Sequence, residues 1–198
     1  RPAWHLGNLL MARRRTEEAI ALWRKAEELG EKHYLLFCNL GYYEKNVSRD
    51  RERTLAYFRK AEAAPGSDLY VIHEVYEALC ALGRKAEAVK YLEARLDAVH
   101  KSPKIANDLL STLLDENKFE KFDALLPGLD FRFNWQIPGP HHLWVRRWMQ
   151  QAVQFIGQGK QDEALAILQD FPPMPKNIGA EMPGDTEPDR RYYHIGCI

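Results

Sequence analysis

The chain has 198 residues, 45% of them apolar, with 28 Lys and Arg against 28 Asp and Glu. That length holds one elongated domain or two small ones, the apolar share excludes a disordered chain, and the zero formal charge removes the basic surplus that nucleic-acid backbone binding requires. No run of eighteen apolar residues is present to cross a membrane as a helix, and the three cysteines, Cys38, Cys80 and Cys197, form no CxxC that would suggest a disulfide framework or a zinc site.

Each cysteine falls on a stretch that reads as an amphipathic helix, where a free thiol behaves as a small apolar group. This points to a reducing compartment, the cytoplasm. No signal peptide is visible. The chain starts at Arg1-Pro2 without a Met, which leaves room for a leader or a whole domain before it.

The first stretch, WHLGNLLMARRRTEEAIALWRKA, reads as two short helices with a turn at Arg13-Arg14-Arg15. Gly7 and Ala19 are twelve apart, and Ala19 and Ala26 seven. Small residues at these positions let two antiparallel helices approach closely, and Leu6, Leu10 and Trp23 are expected to fill the groove between them. Thr16-Glu17-Glu18 opens the second helix with acids at the positive end of its dipole, and Gly30 ends it. The pattern resembles the tetratricopeptide repeat (TPR), with its large-x-x-Leu-Gly-x-x-Tyr, then Ala, an aromatic and Ala.

A second repeat spans about residues 33–64, with Asn39-Leu40-Gly41 echoing the neighbourhood of Gly7 and Phe58 to Ala61 echoing Trp23 to Ala26. Ala26 and Ala61 are 35 apart, close to the TPR period of about 34. Gly41 to Thr54 is thirteen rather than twelve, so the turn near Val47 to Asp50 carries one extra residue. A third repeat, about 68–100, opens on Asp68 as an N-cap and turns at Leu82-Gly83-Arg84; Tyr76 replaces its glycine, which predicts a splayed pair. A fourth, about 102–127, opens on Ser102-Pro103, turns at Glu116-Asn117-Lys118 and carries Phe122 at the small position. A fifth, about 141–170, again sets two alanines, Ala152 and Ala164, twelve apart.

Two stretches break the period. Leu129 to Pro140 is aromatic and turn-rich, and Phe171 to Pro188 holds five prolines and two glycines. Beyond the second, residues 189–198 re-enter the pattern as part of a sixth repeat. Natural repeat arrays close on polar capping helices, whereas Trp4, Leu9 and Leu10 face one end here and Tyr193, Ile195 and Ile198 the other. The expectation is a fragment of a longer protein, or ends that meet a partner or self-associate.

The chain also resembles a narrower group: bacterial multidomain proteins with an N-terminal mutarotase-like domain of unknown function and C-terminal TPR-like repeats, linked to carbohydrate metabolism. The likeness covers nearly the whole chain. It rests on Gly7 to Leu10, Glu93 to Asp97, Phe133 to Trp135, Asn177 and Gly179, and Tyr192-Tyr193 with Gly196-Cys197. In that group the first irregular loop reads roughly His-Pro-Trp-Glu-Gly-Gly-Glu-Gly and the second Pro-Glu-Asn-Leu-Gly-Glu-Gly. Here Trp135 stays, but Gln136 to Gly139 replace the acidic run; Asn177-Ile178-Gly179 stay, with Ala180 before Glu181. If the acids carry the group's chemistry, its loss or alteration is expected here.

Two sets of candidate contacts follow. Loops between successive TPR repeats emerge on one edge, so Asn134 and Trp135 could converge with Asn177 and Glu181. An indole with amide and carboxylate groups suits a sugar ring, and the competing reading is that Trp135 and Phe133 pin a long loop. The concave face of a TPR array is lined by first helices, which here offer Asn8, Lys45 and Arg146, with Arg147 beside it as scattered, solvated charge. TPR domains that clamp a peptide's C-terminal carboxylate use Lys, Asn and Arg at set positions. Asn8 matches one Asn, but Trp4 stands at the Lys position and the next repeat shows Leu35 and Asn39, so no carboxylate clamp is expected.

His73 and His141-His142 invite a metal reading, but the adjacent histidines point to different helix faces and no metal site is expected. No phosphate loop, GxSxG or HExxH is present, and Glu17-Glu18 lies on a solvated face where nothing raises a pKa. The sequence therefore predicts an all-α, TPR-like right-handed solenoid of about five helix hairpins, one domain over 1–198 with two long inter-repeat loops. It predicts a non-catalytic scaffold for a protein, a peptide or another domain of its own chain, without cofactor, metal, nucleic acid or membrane. The alternative is a carbohydrate-binding or accessory region of a glycosidase-related protein.

Overall fold

In the computed structural model, which describes residues 3–131 and 141–178, every regular element is helical. The helices are α1 (Ala3–Ala12), α2 (Thr16–Glu28), α3 (Tyr34–Tyr43), α4 (Arg51–Ala63), α5 (Leu69–Ala81), α6 (Lys85–Glu93), α7 (Leu96–Lys101), α8 (Pro103–Asp115), α9 (Phe119–Leu125), α10 (His141–Gly157) and α11 (Gln161–Gln169). They form two compact units that divide between Ala94 and Arg95.

In the first unit, α1/α2, α3/α4 and α5/α6 are successive hairpins. The small-residue positions act as the spacing predicts. A Cβ on Gly7 would lie 2.3 Å from Trp23 Nε1, and one on Gly41 2.9 Å from Phe58 Cε1. Ala19, Ala26 and Ala61 are fully buried opposite. One expectation fails: Leu6 does not fill this groove but is 51% exposed, while Trp4, expected at an open end, is only 5% exposed and packs with Ala19, Trp23, Leu36 and Leu40. The reason is helical phase. Trp4, Gly7 and Met11 share one stripe at i, i+3 and i+7, and Leu6 and Leu9 fall off it. In the third hairpin Tyr76 takes the glycine's place and is buried, as are Ala88 and Leu92 across from α5.

The helix starts follow their caps. Asp50, Asp68 and Ser102 accept hydrogen bonds from the backbone N–H groups of Arg53 (3.0 Å), Tyr70 (2.9 Å) and Ile105 (3.4 Å). Thr54, standing where the first repeat has alanine, stays buried because its hydroxyl donates to the Asp50 carbonyl at 2.7 Å.

All five hairpin turns use one device. A left-handed residue stands two positions before the second helix: Arg14, Arg49, Gly83, Asn117 and Gly159, with φ from 54° to 76°. In four of them the next N–H closes back five residues, from Arg15 to Leu10 (2.9 Å), Arg84 to Leu79 (2.9 Å), Lys118 to Leu113 (2.8 Å) and Lys160 to Phe155 (2.8 Å). The second turn carries the extra residue seen in the sequence and absorbs it as a π-helical turn, Glu44–Ser48, so that Asp50 N–H reaches six residues back to Glu44 O at 3.0 Å. A side chain at positive φ costs free energy that glycine avoids. Arg14→Gly is therefore expected to raise stability by about 0.5–1 kcal/mol and Gly83→Ala to lower it by about 1 kcal/mol, read from urea midpoints.

In the second unit, α8/α9 and α10/α11 repeat the hairpin, and α7 precedes them as a separate turn of helix because the chain leaves helical geometry at Arg95. The second helix expected to run on toward His100 is thus interrupted, with Ala98 and Val99 buried beyond the break. Phe122 fills its position completely, while Ala152 and Ala164 restore a small-on-small contact. The pair Arg146-Arg147 does not act as solvated charge. Arg147 is 6% exposed; its Nε and Nη2 donate to Asp123 Oδ1 (3.1 Å) and Oδ2 (2.7 Å), Nη1 donates to Gln151 Oε1 (3.2 Å), and its guanidinium lies 4.2 Å from the centre of the Phe119 ring. Arg146 pairs with Asp115.

Candidate functional site

The first helices of the first unit build a polar ladder. On α3, Leu35, Asn39 and Tyr42 lie at i, i+4 and i+7 and so share a face. Asn39 Nδ2 donates to Asn8 Oδ1 of α1 at 2.7 Å. The same Asn8 oxygen accepts from Trp23 Nε1 at 3.1 Å, which ties the surface amide pair to the indole that packs on Gly7. On the other side, the hydroxyls of Tyr42 and Tyr70 share a hydrogen bond, and Lys45 in the π-helical turn donates to Glu74 Oε2 at 3.1 Å. Tyr70 and Glu74 are one turn apart on α5. Three neighbouring helices thus carry a continuous row of amides, phenols and one ion pair. Asn8, Asn39 and Tyr42 are half-buried, and Leu35 and Tyr70 are exposed.

The electrostatics keep the two phenols of this row in their neutral, hydrogen-bonding form. Burial, then the hydrogen bond to Tyr70 and the nearness of Glu74, push the Tyr42 phenol far above its ordinary value. Burial also raises Tyr70, and Glu74 adds to it. Beneath them burial, with repulsion from Asp68 and Glu74, pushes the Cys38 thiol up to about 12. The thiol is therefore neutral at physiological pH and acts as packing rather than as a nucleophile. The row offers donors, acceptors and two aromatic faces to a ligand, and the acid at its α5 end, Glu74, opposes a bound carboxylate.

Of the residues singled out in the sequence, the structure brings Asn8 and Lys45 into this row and places Arg146 in the second unit. Asn177 lies on the 3-10 turn Lys176–Ile178, where its Nδ2 donates to the carbonyls of Leu126 and Leu129, both at 2.7 Å, and its own carbonyl accepts from Phe131 N–H at 3.1 Å. Both amide hydrogens thus tie the second loop to the end of the fourth hairpin. Asn134, Trp135 and Glu181 lie outside the described residues. The sequence reading missed Tyr42, Tyr70 and Glu74. The available signal was the spacing of Leu35, Asn39 and Tyr42, which puts a polar pair on a helix whose other faces are apolar.

Among solved structures the chain is similar to YrrB, a TPR protein with an unusual peptide-binding site. The two share 19% identity with a TM-score of 0.62, over 100% of this chain and 91% of that one. The likeness shows the fold, a TPR-like arrangement of helix hairpins. No family model and no curated protein matches the chain. Among the described residues no helix is long and apolar enough to cross a membrane.

Proposed function

We propose that this protein is a non-catalytic interaction scaffold, which holds an extended peptide segment of a partner, or of another domain of its own chain, against the first helices α1, α3 and α5. The observation that carries this reading is the row Asn8, Asn39, Tyr42, Tyr70. Carboxamides present a donor and an acceptor at the spacing of a peptide bond, and phenols supply flat contact area at small entropic cost. The row is built before any ligand arrives, because Asn8 is held by Trp23 and Tyr42 by Tyr70; preorganisation of this kind lowers the cost of binding. The YrrB likeness supports a peptide or protein as the class of partner.

The test is an array of immobilised peptides probed with the full chain and with Asn39→Ala. Asn39 is the variant of choice because Asn8 also supports Trp23. Peptides retained by the parent are expected to lose at least about tenfold in affinity in the variant, the equivalent of one good hydrogen bond left unmade at a partly desolvated site. Retention that Asn39→Ala leaves unchanged, or no retention at all, overturns the groove as the binding surface.

A further inference from the structure

A cleft of about 410 Å³ opens elsewhere in the first unit, lined by Arg24 of α2, Glu44 of the π-helical turn, and Arg53, Ala56, Tyr57 and Lys60 of α4. Glu44, the first residue of that turn, continues the buried stripe of Phe37, Leu40 and Gly41 on α3 and is 1% exposed. Of its two carboxylate oxygens, Oε1 lies 3.6 Å from Arg24 Nη2, beyond hydrogen-bond reach, and Oε2 is buried without a hydrogen-bond partner. A buried carboxylate oxygen left unpaired is costly and marks a place where a donor belongs.

The rim has the opposite need. Arg24 makes the long contact to Glu44 and leans over the Tyr43 ring at 5.7 Å, and Arg53 meets Asp50 at 3.4 Å and is otherwise open. Each guanidinium has five N–H groups, so both retain donors for an incoming acceptor. Lys60 and Tyr57 are already committed to Glu27, at 2.6 Å and 3.2 Å, and stand as a fixed wall. A plain anion would satisfy the arginines but meet the Glu44 carboxylate. A plain cation would satisfy Glu44 but meet three rim cations. A ligand that carries both charges a few ångströms apart satisfies both.

We propose that this cleft binds a zwitterionic ligand of amino-acid or dipeptide size, its ammonium on the Glu44 carboxylate and its carboxylate on Arg24 and Arg53. The volume suits such a molecule, and the site is separate from the peptide row on α1, α3 and α5.

The experiment is a titration of the isotopically labelled full chain with the dipeptide Ala-Ala in free, N-acetylated and C-amidated forms, followed by backbone amide shifts. The free dipeptide is expected to shift the amides around Arg24, Glu44 and Arg53–Lys60 saturably, and each blocked form to bind at least tenfold more weakly. Glu44→Gln should erase the preference for a free ammonium, and Arg53→Ala the preference for a free carboxylate. Arg53 is on the surface, so its variant retains the fold and keeps the test valid if Glu44→Gln does not fold. Equal binding of the free and N-acetylated forms, inorganic phosphate binding as tightly as the dipeptide, shifts confined to Asn8, Asn39 and Tyr42, or no saturable shift would each overturn the proposal.

Discussion

Gly7→Ala is expected to destabilise the first unit by about 2–3 kcal/mol, a large loss for the smallest substitution available. The added methyl would stand 2.3 Å from Trp23 Nε1 and 2.5 Å from Cδ1, closer than any real contact. The indole cannot swing aside without cost, since its N–H is shared between the Trp4 carbonyl at 3.2 Å and Asn8 Oδ1 at 3.1 Å. Overpacking and loss of these bonds outweigh the gain in helix propensity, about 1 kcal/mol for glycine to alanine. Gly41→Ala is the internal control. Its nearest atom is Phe58 Cε1 at 2.9 Å, and a phenyl ring has no hydrogen bond to lose. Propensity and clash then nearly offset, and a net change within about 1 kcal/mol is expected. Urea denaturation followed by tryptophan emission ranks the two; equal costs would mean that the indole hydrogen bonds do not hold Trp23 in place.

The glycine and alanine positions were legible in the sequence because they depend only on spacing along two adjacent helices. So were the caps at Asp68 and Ser102 and the surplus residue between Gly41 and Thr54, all local features. What the surplus does was not legible: only the folded turn shows that it is absorbed as a π-helical turn that starts at the buried Glu44. Partnerships between distant residues were equally hidden. Tyr42 with Tyr70, and Asn177 with Leu126 and Leu129, depend on how one hairpin settles on the next, and a single sequence carries no record of that register. Leu6 was misread because it borders Gly7 in sequence, whereas adjacent helical residues point about 100° apart. The sugar-ring reading rested on Trp135 with Asn134, Asn177 and Glu181. Its one described member, Asn177, holds the loop in place through both of its amide hydrogens.

Arg147 gives the sharpest contrast between neighbouring residues. Arg147→Ala is expected to cost the second unit about 2–4 kcal/mol. The side chain is buried, paired in bidentate fashion with Asp123, bonded to Gln151 and stacked on Phe119 and Trp148. Its removal leaves a cavity between two aromatic rings and an aspartate without its cation. Asp123 is 38% exposed, so water can take over part of the lost pairing, and this keeps the figure below that of a fully buried pair. Lysine should not rescue the site, because one ammonium cannot supply the parallel N–H pair and the flat stacking surface together. Arg146→Ala, one residue away, should change stability by less than about 1 kcal/mol, since both members of its pair with Asp115 reach solvent. The four variants Arg147→Ala, Arg147→Lys, Arg146→Ala and Asp123→Asn, compared by urea midpoints, separate the contributions. A cost for Arg147→Ala no larger than that for Arg146→Ala would show that the guanidinium is solvated rather than clamped. Full rescue by lysine would reduce its role to charge alone.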